Sequence, residues 1–207
     1  MFTTKEVIWI IIAILIGGFV IGLSSSLRPS FIGLLWASII ILVSVIAKKI
    51  AAPFYSLEIE HKSWGWKRWG WYERSEFKKP IPLGIILPFF ISVLSLGIIK
   101  PLTLLQFDAE NFTKKRVLRK RGDYRYSEIN ESDLAFTAAW GFWALILLAI
   151  IGFFLKQPEI TKYSIYYGIW NLIPFSNLDG TKIFFGSLIN WILLVIVYVI
   201  SLVVVLI

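Results

Sequence analysis

Four long stretches without a single charged side chain, residues 7–26, 31–47, 134–155 and 186–207, limit this chain more than any other feature. An α-helix rises 1.5 Å per residue and the hydrocarbon of a bilayer is about 30 Å thick, so each stretch is near the length of one crossing. A soluble domain of 207 residues, 57% of them hydrophobic, could not bury that much apolar surface around one core. The sequence therefore predicts an all-α polytopic protein that passes several times through the cell membrane. Residues 1–30 read as an N-terminal anchor and turn, 31–186 as the membrane core, and 187–207 as a C-terminal transmembrane helix. The first run lacks a small-residue cleavage site and reads as a signal anchor.

The charges fall between these runs. Twenty-one basic against thirteen acidic residues leave a net charge of +8. Most of the excess sits in two connections, 48–80 with Lys67, Arg68, Arg74, Lys78 and Lys79, and 108–133 with Lys114, Lys115, Arg116, Arg119, Lys120, Arg121 and Arg125. The positive-inside rule puts both in the cytoplasm, against anionic lipid head groups, and this segregation argues against nucleic acid as a partner. They can share a side only if residues 81–106 enter and leave by the same face. Pro82, Pro88, Pro101 and Lys100 in that stretch predict a kinked or re-entrant segment. With no cysteine, thiolate metal sites, disulfides and cysteine nucleophiles are excluded.

Tyr55, Leu57 and Ile59 alternate with Ser56, Glu58 and Glu60, the period of a half-buried strand. Such a strand beside the membrane predicts an open edge to which a segment of a client protein could add, with Tyr55, Leu57 and Ile59 as the contacting residues. Trp64, Trp66, Trp69 and Trp71 flank Lys67 and Arg68, and a two-residue turn there would put all four indoles on one face of a hairpin. An interfacial aromatic belt is the simpler alternative. The single histidine, His61, reads as a surface or interfacial residue.

The polar segment 171–180 reads Asn-Leu-Ile-Pro-Phe-Ser-Asn-Leu-Asp-Gly. Turn chemistry alone would account for it. An acidic residue directly after a short, proline-broken apolar stretch nevertheless usually has a partner or a function. The spacing Asn171, Pro174, Asp179, Gly180 resembles the signature of the site-2 protease family of intramembrane zinc metalloproteases. That resemblance implies a site-2 protease-like transmembrane core with a small membrane-associated β-hairpin, and makes Asp179 the counterpart of the third zinc ligand. The family's other ligands come from His-Glu-x-x-His on an earlier helix, a motif this chain lacks. Small archaeal members continue that motif with Lys and small residues, which places Ser44 at the first histidine, Val45 at the glutamate and Lys48 at the second histidine. The family's Ala-Gly-Pro-x-x-Asn motif before the next crossing is also missing, since residues 130–136 read Asn-Glu-Ser-Asp-Leu-Ala-Phe.

The expectation is accordingly a catalytically inactive homologue, without zinc and without catalytic residues, that binds or scaffolds transmembrane or membrane-proximal segments of other proteins. Two alternatives stay open: an active protease with a non-standard site built on Lys48 and Asp179, and a small transporter or channel subunit with a polar path past Pro174. An unpaired carboxylate at membrane depth costs several kcal/mol, so Lys48 is expected to pair with Asp179. A lysine that reaches instead to the head groups is the competing arrangement.

Overall fold

A computed structural model describes residues 2–23, 29–68, 76–111 and 129–206. The chain is mostly helical, and among the described residues four helices are long and apolar enough to cross a membrane: Thr4–Gly22, Phe31–Tyr55, Glu131–Phe154 and Leu188–Val205. The first begins earlier than the uncharged run, because Thr3 caps α1 (Thr4–Gly22) by accepting from the Glu6 N–H. The second, α2 (Pro29–Ala51), runs past the predicted end at residue 47 and carries Lys48 and Lys49 in its last turn. Of the turn expected at the end of residues 1–30, Pro29 and Ser30 already belong to α2, and 24–28 lie outside the described residues.

The strand segments pair differently from the expectation. β1 (Leu57–Ser63) is bonded not to the chain that follows it but to β4 (Leu105–Asn111), antiparallel, with His61 opposite Phe107. β2 (Trp66–Arg68) pairs with β3 (Glu76–Ile81) in a separate hairpin. Lys67 and Arg68 therefore belong to a strand and do not form its turn, as suits a dipeptide without the positive-φ preference of a two-residue loop. Trp69 and Trp71 lie outside the described residues, whereas Trp64 is buried.

Between β3 and β4 the chain dips into the bundle and returns. α3 (Leu83–Leu94) has 12 residues, about 18 Å of helix, with Pro88 inside it. Residues 100–104 return without helix or strand. Lys100 marks the depth of the dip: its ammonium donates to Ile21 O at 2.9 Å and Tyr163 Oη at 3.0 Å, and Ile21 lies about 22 Å along α1 from Glu6. Both ends of the dip are pinned to one residue, since Trp64 O accepts from Gly84 N at 2.8 Å and Trp64 N donates to Leu104 O at 3.1 Å. The segment thus enters and leaves at the same end of the bundle. Leu94, Leu96 and Ile98 stay exposed at its tip, where lipid rather than water suits them.

α4 (Glu131–Phe154) starts where Asn130 accepts from Ser132 N at 3.3 Å, so the polar run 130–133 serves as a helix cap. α5 (Pro158–Leu172) opens with proline in its first turn and stops before Pro174. α6 (Asp179–Gly186) and α7 (Leu188–Leu206) follow, so the final apolar run splits at Gly186 and Ser187. One apolar cluster joins α1, α2, the returning segment, α4 and α5; a second joins β1, β4, α4, α5, α6 and α7.

Candidate functional site

α2 and α6 meet at a buried ion pair. Lys48 Nζ lies 2.6 Å from Asp179 Oδ2, and the two side chains are 2% and 4% exposed. Two glycines make this approach possible. A Cβ at Gly141 on α4 would come within about 3.0 Å of three carbons of the Lys48 side chain, so its absence leaves a channel for the lysine stem. A Cβ at Gly180 would stand 2.2 Å from Leu172 O, so only glycine lets the first turn of α6 pack on the last turn of α5 and present Asp179 inward. Asn171 holds the other side, donating to Leu102 O at 3.1 Å and Tyr167 O at 2.8 Å, which ties α5 to the returning segment.

The remaining sequence-nominated residues divide. Ser44, one turn before Lys48 and on the same face, is buried. Val45 points away into the apolar cluster with Leu145 and Tyr163. Pro174 is exposed in the loop before α6, where Phe175 lies tilted against Trp66 with ring centroids 5.1 Å apart. Lys182, one turn after Asp179, is 4.0 Å from Asp179 Oδ1 and donates to Phe107 O. Burial would raise the Asp179 carboxyl, but Lys48 and Lys182 hold it below the usual carboxylate range. Burial pulls Lys182 down to about 8, against the opposing pull of Asp179.

A second polar site lies beside the first, and it corrects two expectations. His61 is fully buried rather than superficial, because the alternation that buries Leu57 and Ile59 places it on the same face of β1. Its Nδ1 lies 2.8 Å from Glu6 Oε1, which also accepts from the His61 backbone N–H at 3.0 Å. Glu6 Oε2 sits 2.9 Å from Lys49 Nζ, and that ammonium donates to Ile59 O at 2.6 Å. Burial lowers His61 to about 4, and nearby Lys48 acts in the same direction, while Glu6 opposes both. The open strand edge expected at 55–60 is therefore occupied by side chains of α1 and α2. Leu57 and Ile59 face the core at 2% exposure, and Tyr55 belongs to the 3-10 turn before the strand.

Asp179 Oδ2 is bonded to the Lys48 ammonium and His61 Nδ1 lies against Glu6, and among the described residues no three His, Asp or Glu side chains are grouped so as to hold a metal ion. No protein-family model, curated protein or solved structure matches the chain.

Proposed function

We propose that this chain is a multi-pass integral protein of the cell membrane, a degenerate relative of the site-2 proteases that has exchanged a catalytic zinc for an internal cation and works by binding segments of other membrane proteins. The observation that supports it is the Lys48–Asp179 pair. The acidic residue of the Leu-Asp-Gly signature meets the helix position where the resemblance puts the second histidine, and the residue there is a lysine that neutralises it. Hydrolysis of a peptide bond by that family needs a metal-bound water and a base, and Ser44, Val45 and Lys48 provide neither the ligands nor the carboxylate. The same two residues could serve an active enzyme as acid and base, but a pair closed at 2.6 Å and buried on both sides favours the structural role.

Two measurements test this reading. Elemental analysis of protein purified from zinc-supplemented cells should find well under one zinc per chain, and one tightly held zinc would overturn it. Ser44→His, Val45→Glu and Lys48→His introduced together should create a zinc-binding site of about one ion per chain, since they complete a three-ligand set with Asp179. If that variant folds and takes up no zinc, the positional correspondence fails.

A further inference from the structure

The Glu6–His61–Lys49 clasp is balanced in charge only while its ring is neutral. A carboxylate accepts and cannot donate, so Glu6 Oε1 accepts from His61 Nδ1–H as well as from the His61 amide, and the bare ring nitrogen is Nε2. Nε2 is buried and has no hydrogen-bond partner. The Lys49 ammonium already answers the same carboxylate. A proton on Nε2 would therefore leave the clasp with an unanswered positive charge on a fully buried ring. No other group around the ring corrects that. Of the elements packed on β1, α1 offers Glu6, with Lys5 exposed, α2 offers Lys48 and Lys49, the turn 52–55 offers Tyr55, and α3 has no titratable side chain. β4 places Phe107 opposite His61 and keeps Asp108 and Glu110 exposed on the outer face. On α6, Asp179 is bonded to Lys48, with Lys182 beside it.

The clasp also fastens the first turn of α1 to the sheet. Glu6 meets β1 at the amide and the ring of His61, and Thr3, which caps the helix, donates to Glu60. Residues 7–22 carry no further charged side chain, so displacing that turn moves Glu6 and leaves the apolar part of α1 in place. We infer that the clasp is a proton-operated latch: a proton taken up at His61 Nε2 releases the first turn of α1 from β1, while the rest of the helix stays packed in the bundle. Once the turn is displaced, the imidazolium and the Glu6 carboxylate both reach water, and the Lys49 ammonium is freed from Glu6. Burial, with Lys48 acting in the same direction, holds the closed ring at about 4 against an ordinary 6.5. The open form takes up its proton near the ordinary value. The ratio of open to closed molecules is accordingly level above about 6.5 and rises by up to about tenfold per pH unit as pH falls from there toward 4. The latch does not depend on the protease kinship, and failure of the rebuilt zinc site leaves it untouched.

The chain has no cysteine, so pairs of spin labels can be placed on introduced ones. Lys5→Cys with Glu58→Cys reports the turn against the strand, and Glu58→Cys with Leu147→Cys reports the strand against α4. Both pairs are measured by double electron–electron resonance on the full chain in nanodiscs. Thr3→Ala removes the cap and the bond to Glu60, which raises the open population at every pH. In that background the ratio of long to short distances for the first pair should rise about thirtyfold between pH 8 and pH 5, with the second pair unchanged. His61→Gln added to it keeps a donor for Glu6 and removes the titration, and should hold the ratio within about twofold over the same range. Absence of a long-distance population at pH 5, an equal rise in the His61→Gln variant, or a matching shift of the second pair overturns the inference.

Discussion

Two buried ionic sites sit side by side in this molecule and are built in opposite ways. At Lys48–Asp179 the partners come from two helix ends, the last turn of α2 and the first of α6, and neither side chain has more than a few percent of its surface exposed. At Glu6–His61–Lys49 one carboxylate serves a ring nitrogen, a backbone amide and an ammonium, and Lys49 keeps 16% exposure. The first is a closed pair in which Lys48 answers Asp179 directly and Lys182 stands further off, 4.0 Å from the other carboxylate oxygen. The second is a distributed clasp with an arm near water, so its members have other places to go. Loss of one partner should therefore be far costlier at the pair than at the clasp, while the clasp should be the part that responds to pH.

The largest expected effect comes from orphaning a charge in the pair. Asp179→Leu should destabilise the protein in detergent by about 3–5 kcal/mol, read from thermal or denaturant unfolding, because Lys48 is left buried and unpaired. A loss below about 1 kcal/mol would mean that Lys48 finds water or head groups, and the contrast between the two sites would collapse.

The next effect belongs to the clasp. His61 is lowered to about 4 in the folded chain from an ordinary value of 6.5. As pH falls below about 6.5 the unfolded chain takes up a proton that the folded chain refuses, so stability is full above that pH and drains away toward pH 4. The total is about 3 kcal/mol. Because the chain has one histidine, a single imidazole resonance reports the titration directly. His61→Gln should flatten the stability profile across that window, and an unchanged profile would remove His61 as its cause.

Smaller changes separate packing from charge. Gly180→Ala should cost about 2 kcal/mol by forcing α6 off the end of α5. Glu6→Gln, which keeps an acceptor for the His61 amide, should cost only about 1 kcal/mol. A Glu6→Gln loss as large as that of Asp179→Leu would show that the two sites are one network rather than two.

The long apolar helices were legible because a bilayer demands uninterrupted apolar length, and among the described residues four helices are long and apolar enough to cross one. The same-side entry and exit of 81–106 followed from its prolines and from the charge on its flanks. The partner of β1 was not legible, since a strand's alternation says which face is buried and nothing about which distant segment supplies the hydrogen bonds. His61 was misjudged although the signal existed: period two puts it with Leu57 and Ile59. Glu6 was missed for a different reason, since Thr-x-x-Glu at the start of an apolar run reads as a solvated helix cap. Here Thr3 does cap α1, but the glutamate turns inward to β1. Asp179 and Lys48 were singled out by family spacing, and hydropathy alone would have passed over both.

Lys48 and Asp179 stabilise each other, and a double-mutant cycle measures that coupling most directly. Lys48→Met and Asp179→Leu should each destabilise the protein in detergent, and the double variant should recover much of the combined loss, because no charge is then left buried alone. Strictly additive losses would contradict the account.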